Sequence, residues 1–156
     1  MNKIIIETAM HADVEEMAEL LSELFTLELD FNPDRAKQQR GLRLILDNPA
    51  LGRLFVARVG NRLAAMANAL ITVSTAEGER VLLLEDVIVR AEFRGCGYGR
   101  RLVEAVIAWA AEEGMKRVTL LADRDNSQAL AFYRRLGFEG STMVVLRRPI
   151  LSTLLA

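Results

Sequence analysis

The sequence predicts one α+β domain over residues 1–156, and three observations predict it. Apolar residues recur at helical spacing in four segments and form short alternating or continuous runs in six others. Proline or glycine punctuates many of the boundaries, as at Pro33, Pro49, Gly60, Gly78, Gly114 and Gly137. Third, 156 residues of which 51% are hydrophobic suffice to bury one core, and no linker, repeat or low-complexity stretch divides the chain.

Residues 3–8, rich in isoleucine, read as the first strand. Asp13 stands where an N-cap belongs, ahead of Val14, Met17, Ala18, Leu21, Leu24 and Phe25 on one helical face. A second helix opens after Asn32-Pro33, with Pro33 at its first position, and fades at Asp47-Asn48-Pro49. Residues 54–59 and 63–73 read as strands joined at Gly60-Asn61, a tight turn whose type the glycine-first order leaves open. A polar turn at 75–79 leads to an apolar strand at 80–89, interrupted by Glu85-Asp86. After a glycine cluster, Leu102, Val103, Val106, Ile107 and Ala110 mark a third helix that stops at Gly114. Residues 118–122 form another strand. Asn126 or Ser127 caps a helix carrying Ala129, Leu130, Tyr133 and Leu136, which Gly137 ends. Residues 143–146 read as the last strand.

Charge and composition exclude several function classes. With 20 basic and 21 acidic side chains the net charge is -1, without the basic excess of a nucleic-acid module. The apolar stretches are too short to span a bilayer, and the first residues carry no signal-peptide pattern. Cys96 is the one cysteine and His11 the one histidine, which excludes a disulfide framework and Cys/His zinc sites. The expectation is a cytoplasmic protein with no metal, no membrane contact and no nucleic-acid partner.

The chemistry concentrates in two segments. In the first, an apolar strand ending Val87, Ile88, Val89 runs into Arg94, Gly95, Cys96, Gly97, Tyr98, Gly99 and Arg100, and the turn opens a helix. Glycines admit positive φ and close ligand approach, while helix-start N–H groups and arginines favour a diphosphate. Gly99 is followed by Arg100-Arg101, so the Gly-Lys-Ser/Thr ending of a Walker loop is missing. Arg100 also occupies the third-glycine position of a dinucleotide fingerprint. A ligand-free structural turn is the competing reading. The second segment runs from Asn126 to Phe138. Its apolar stripe is explained by packing, but Tyr133 carries a phenol that needs a partner when buried.

Arg94-x-x-Gly97-x-Gly99 after an apolar strand resembles the acetyl-CoA pyrophosphate loop of the GNAT superfamily of N-acetyltransferases. Asn126-Ser127-x-Ala129-x-x-Phe132-Tyr133-x-x-Leu136-Gly137-Phe138 resembles that superfamily's second motif. The resemblance covers about residues 81–138; earlier residues match only in the order of elements. Ala64-Ala65 stands where many relatives carry glycine. The resemblance implies a mixed, mostly antiparallel central sheet of six to seven strands, flanked by four helices and splayed at the acetyl-CoA site. It also implies that the backbone of Val87, Ile88 and Val89 pairs with the pantetheine arm. Arg94, Gly95, Cys96, Gly97, Tyr98 and Gly99 would hold the pyrophosphate, and Arg100 would continue the contact. Asn126 would bond the cofactor arm and Tyr133 would lie near its sulfur as the acid. Cys96 reads as a small loop residue and not a nucleophile.

Acetyl transfer to an amine needs a base, because a lysine-like amine with pKa about 10.4 is protonated at neutral pH. Glu85 and Asp86 are the candidates, and regular alternation puts them on opposite faces unless a bulge intervenes. Some superfamily members carry a glutamate at the position of Glu85; others use the strand that here spans 118–122, which holds no carboxylate. Glu85 is therefore the expected base, with Asp86 or a water chain left open in its place, and with pairing to an arginine or backbone bonding as the structural alternative for either carboxylate. Residues 8–34 hold eight acidic side chains and no lysine or arginine, which would steer a cationic acceptor or simply solvate a helix face. The expected activity is transfer of acetyl from acetyl-CoA to a small-molecule or peptide primary amine, by direct attack in a ternary complex. A catalytically silent CoA-binding regulatory or interaction module is the alternative. The sequence leaves open whether the chain acts alone or as a homodimer.

Overall fold

The computed structural model describes residues 3–28 and 30–152. These form two compact units that meet at Asp123/Arg124 in the sequence.

In the first unit the order is β1 (Ile4–Thr8), α1 (Val14–Leu27), α2 (Arg35–Leu46), β2 (Gly52–Val59), β3 (Arg62–Ser74), β4 (Glu79–Val89), α3 (Tyr98–Glu112) and β5 (Val118–Leu120). Short 3-10 turns at His11–Asp13 and Ala91–Phe93 precede α1 and follow β4. The strands lie in sequence order in one sheet, antiparallel except for the parallel β4–β5 pair. The β2–β3 register leaves Gly60-Asn61 as a two-residue loop with Gly60 at φ 59° and no positive φ at Asn61. That is the pattern of a type II′ turn, which suits the strand twist.

Each face of the sheet buries one helical stripe. Val14, Met17, Ala18 and Leu21 fall at i, i+3, i+4 and i+7 on α1 and are buried. With Leu42 of α2 they pack on Leu54, Val56, Leu63, Met66 and Ile88. Phe55 alternates to the other face, where its ring meets Trp109 of α3 at 5.5 Å. Leu102, Val103, Val106 and Ala110 form the buried stripe of α3.

Charged side chains tie α1 to the sheet. Asp13 is 6% exposed; Arg58 reaches it at 2.9 Å and Glu7 at 2.8 Å. Asp13 also accepts the Met10 N–H. Arg90, at the end of β4, ion-pairs with Glu16 and donates to the Leu63 carbonyl, while Glu16 accepts the Leu63 N–H.

The second unit contains α4 (Ser127–Arg135). Here the expected architecture needs correction. Among the described residues the sheet has five strands, not six or seven, and no strand forms at 143–146. Those side chains stand exposed, from 50% at Val145 to 90% at Leu146. Val-Val carries strand propensity, but a strand exists only when a neighbour accepts its backbone ladder, and propensity cannot supply one. β5 likewise ends at Leu120, short of the expected 122.

Candidate active site

β4 carries the first feature of the site. Asn68 pairs with Glu85 and Met66 with Ile88, so Ala67 alone faces Asp86 and Val87. This is a β-bulge, and its first residue, Asp86, has φ 53°, the one non-glycine positive φ among the described residues. Aspartate tolerates that region better than most residues because its short side chain can bond locally. The bulge breaks the alternation that would set Glu85 and Asp86 on opposite faces. Asn68 stands opposite Glu85 in the ladder, yet its Nδ2 donates to Asp86 Oδ2 at 3.2 Å. Burial pushes the Asp86 carboxyl above the ordinary carboxylate value, and the Asn68 bond only partly offsets it.

β5 pairs with β4 only from Leu82 to Leu84. Glu85 to Val89 continue without a β5 partner, so the two parallel strands part company at the bulge. Val87, Ile88 and Val89, the residues expected to pair with a cofactor arm, lie in that stretch.

The glycine turn follows. Gly95 and Gly97 have φ of 76° and 78°, and a Cβ built on either meets nothing within 4 Å. Gly99 differs: it lies inside α3 and is buried. Gly97 is the N-cap of α3 and no side chain caps the helix. Its first N–H groups therefore lack intrahelical partners, and the helix dipole adds positive potential there. Arg94 is engaged, to Glu23 at 3.1 Å and to the Val89 carbonyl at 2.9 Å. Arg100 pairs with Glu104 at 2.8 Å. Both pairs are substantially solvent-exposed and each is worth only about 0–1 kcal/mol, so an anion can recruit either arginine cheaply. Tyr98 lies 6.2 Å, ring to ring, from Phe93. Cys96 is exposed, with Sγ 3.7 Å from the Arg94 carbonyl oxygen. His11 bonds Asp47 instead of the cysteine.

In the second unit, Asn126 caps α4: its Oδ1 accepts the Ala129 N–H at 3.0 Å. Gly137, at φ 91°, turns the chain so that the Phe138 N–H donates to the Tyr133 carbonyl. That return sets the Phe138 ring edge-on to Tyr133 at 5.7 Å, with Phe132 at 5.1 Å. Burial among these rings pushes the Tyr133 phenol up to about 12. The hydroxyl therefore stays protonated, and a donor, throughout the neutral range.

α1, α2 and the bulged strands enclose a cleft of about 490 Å³. Leu21, Phe25, Phe31, Leu42 and Ile45 form its apolar lining; Asp30, Asn32, Asp34, Lys37, Gln38, Asn68 and Asp86 supply polar groups. Asp86 thus lines the cleft, whereas Glu85 is not among its lining residues. Asn68 escaped the sequence reading. Its only signal is one polar residue within the otherwise apolar 63–71 run.

Comparison with known proteins agrees with this geometry. The Acetyltransferase (GNAT) family matches residues 14–138, and the chain belongs to it. An uncharacterized N-acetyltransferase of Methanocaldococcus jannaschii is 35% identical over 46% of this chain and 32% of its own length. A mycothiol acetyltransferase of Kocuria rhizophila is 49% identical over 33% of this chain and 17% of its own. The chain therefore spans about a third or less of these curated relatives. Among solved structures, a possible acetyltransferase from Clostridium difficile 630 superposes with TM-score 0.86, covering 96% of this chain and 99% of that one at 19% identity. That likeness establishes the fold. None of the described helices is long and apolar enough to cross a membrane.

Proposed function

We propose that the protein transfers an acetyl group from acetyl-CoA to a primary amine by direct attack within a ternary complex. The observation that carries this reading is the end of β4: the strand loses its β5 partner after Leu84 and runs into a glycine turn at an uncapped helix. An extended pantetheine arm fits beside Val87, Ile88 and Val89 as an added strand, and a diphosphate fits the open turn from Arg94 to Gly99 with Arg100 beyond it. Asn126 caps α4 through its Oδ1, and its Nδ2 is the group this reading assigns to the cofactor arm. Acetyl-CoA supplies the acetyl group as a thioester: the amine nitrogen forms the new C–N bond, the C–S bond breaks, and the sulfur leaves with its electron pair and takes a proton.

Tyr133, held neutral, is the proposed donor to that sulfur. Glu85 is the base that the family resemblance assigns. A second reading gives the role to Asp86, and its place in the cleft beside Asn68 favours it. Its raised pKa narrows the gap to the amine's, which makes it a better proton acceptor than an ordinary carboxylate. The amine proton then passes to the carboxylate before or as the C–N bond forms. One domain over 1–156, working in the cytoplasm without a metal, completes the proposal.

Two measurements test it. Gly97→Val forces a β-branched residue into φ 78°, distorting the turn where the anion approaches. Calorimetry should show CoA affinity at least about tenfold weaker in the folded variant, by loss of one or more charge-assisted hydrogen bonds; unchanged affinity would refute the loop assignment. Tyr133→Phe should lower kcat by about 10- to 10³-fold with CoA affinity nearly intact. With the phenol at about 12, the parent profile should show no descending limb from Tyr133 below about pH 10. Equal turnover of the Phe variant would reduce the hydroxyl to a packing detail. A free-thiol release assay with acetyl-CoA and an amine panel separates catalysis from a silent CoA-binding module.

A further inference from the structure

We infer that the α1–α2 cleft takes a protonated primary amine carried on an apolar arm, and that Asn68 is the positioning residue that seats its nitrogen. The inference rests on the acetyltransferase reading and adds the acceptor class. Asn68 is 5% exposed and lines the cleft. Its Nδ2 is held by Asp86, and its Oδ1 is buried without a hydrogen-bond partner among the described residues. An orphan buried acceptor is costly, about 1–3 kcal/mol, unless a ligand supplies the donor. Beside it stands a desolvated carboxylate. Two acceptors side by side call for a ligand rich in N–H donors and positively charged, and an ammonium supplies three.

Two other polar groups of the cleft, Gln38 and Asp34, have work elsewhere. Gln38 accepts the Asp34 N–H and donates to Ala18 O and Ser22 Oγ. Asp34 caps α2 through the Lys37 N–H and lies 4.0 Å from Lys37 Nζ. The apolar part of the wall is Leu21, Phe25, Leu42 and Ile45, with the Phe31 ring tilted against Phe25 at 5.5 Å. That wall favours an alkyl or aryl body, and about 490 Å³ has room for one.

The test uses n-hexylamine, 1-hexanol and glucosamine. With acetyl-CoA present, n-hexylamine should show kcat/KM at least about tenfold above glucosamine, and 1-hexanol should compete at least tenfold more weakly than the amine binds. Asn68→Leu should raise KM for n-hexylamine about 10- to 100-fold while KM for acetyl-CoA stays unchanged. Glucosamine turning over as well as n-hexylamine, or an unaltered amine KM in folded Asn68→Leu, would overturn the inference. Calorimetry of n-hexylamine against 1-hexanol on the parent protein needs neither turnover nor a folded variant. Equal binding of the two overturns the inference; a preference for the amine supports it. Failure of the acetyltransferase reading looks different: no thiol release with any amine and no acetyl-CoA binding.

Discussion

Arg58→Met should destabilise the protein by about 3–5 kcal/mol, a loss that shifts Tm by roughly 6–20 °C for a domain of this size. Arg58 holds two carboxylates at once, Glu7 on β1 and Asp13 at the entry to α1. Glu7 contributes most, then Asp13, to pushing the guanidinium pKa up, which leaves it charged at every accessible pH. Methionine keeps most of the stem's volume and removes the charge. Asp13 then remains nearly sealed from solvent with no cation, retaining only the Met10 N–H. An uncompensated buried charge is the costly case; replacing the whole pair is the cheap one. Adding Asp13→Asn should accordingly recover a large part of the loss, because the amide oxygen can still accept the Met10 N–H. Thermal unfolding of the three variants checks this cycle. A single-variant loss below about 1 kcal/mol would make the triad an ordinary surface pair.

The same triad shows why part of the structure was not legible. Arg58 meets partners 51 and 45 residues away, and no local pattern encodes such a meeting. What the chain announces locally came through. α1 and α3 follow from apolar spacing, α4 from Asn126 and Gly137, and the turn between β4 and α3 from Gly95 and Gly97. What depends on a neighbouring strand did not. Residues 143–146 look like a strand and find no ladder. The bulge at Asp86 is set by the register of β3 against β4, so sequence alternation could only warn of it. Asn68 gains meaning once that register places it beside Asp86. Gly99 shows the converse: it fits the motif by spacing, yet its backbone is helical, so its place there does not rest on a positive φ.

Asp86→Asn should lower kcat/KM at neutral pH by about 10²- to 10⁴-fold, the range expected for removing a general base. Asparagine keeps the tolerance for positive φ and a bonding group toward Asn68, so the bulge should survive. The titratable groups sharing the cleft with Asp86 are Asp30, Asp34 and Lys37, beside the amides of Asn32, Gln38 and Asn68, with Glu85 its neighbour on β4. In the parent, the ascending limb of kcat/KM should lie above the ordinary carboxylate pKa of about 3.9, because burial raises Asp86. Activity is lost as pH falls through that raised value. In the variant this limb should vanish, and the remaining activity should climb with the acceptor's own deprotonation toward about pH 10.4. Stability gives an independent sign. A carboxyl whose folded pKa is raised contributes stability that is fully present below its unfolded pKa and lost as pH rises through the folded one. The substituted amide does not titrate, so the variant should match the parent in acid and exceed it at neutral pH. A purely structural Asp86 predicts the opposite, a variant weakened at neutral pH with an unchanged rate profile. Glu85→Gln is the matched comparison. If it takes the large rate loss and the shifted limb while Asp86→Asn stays active, the proton goes to Glu85, and the bulge merely positions the strand.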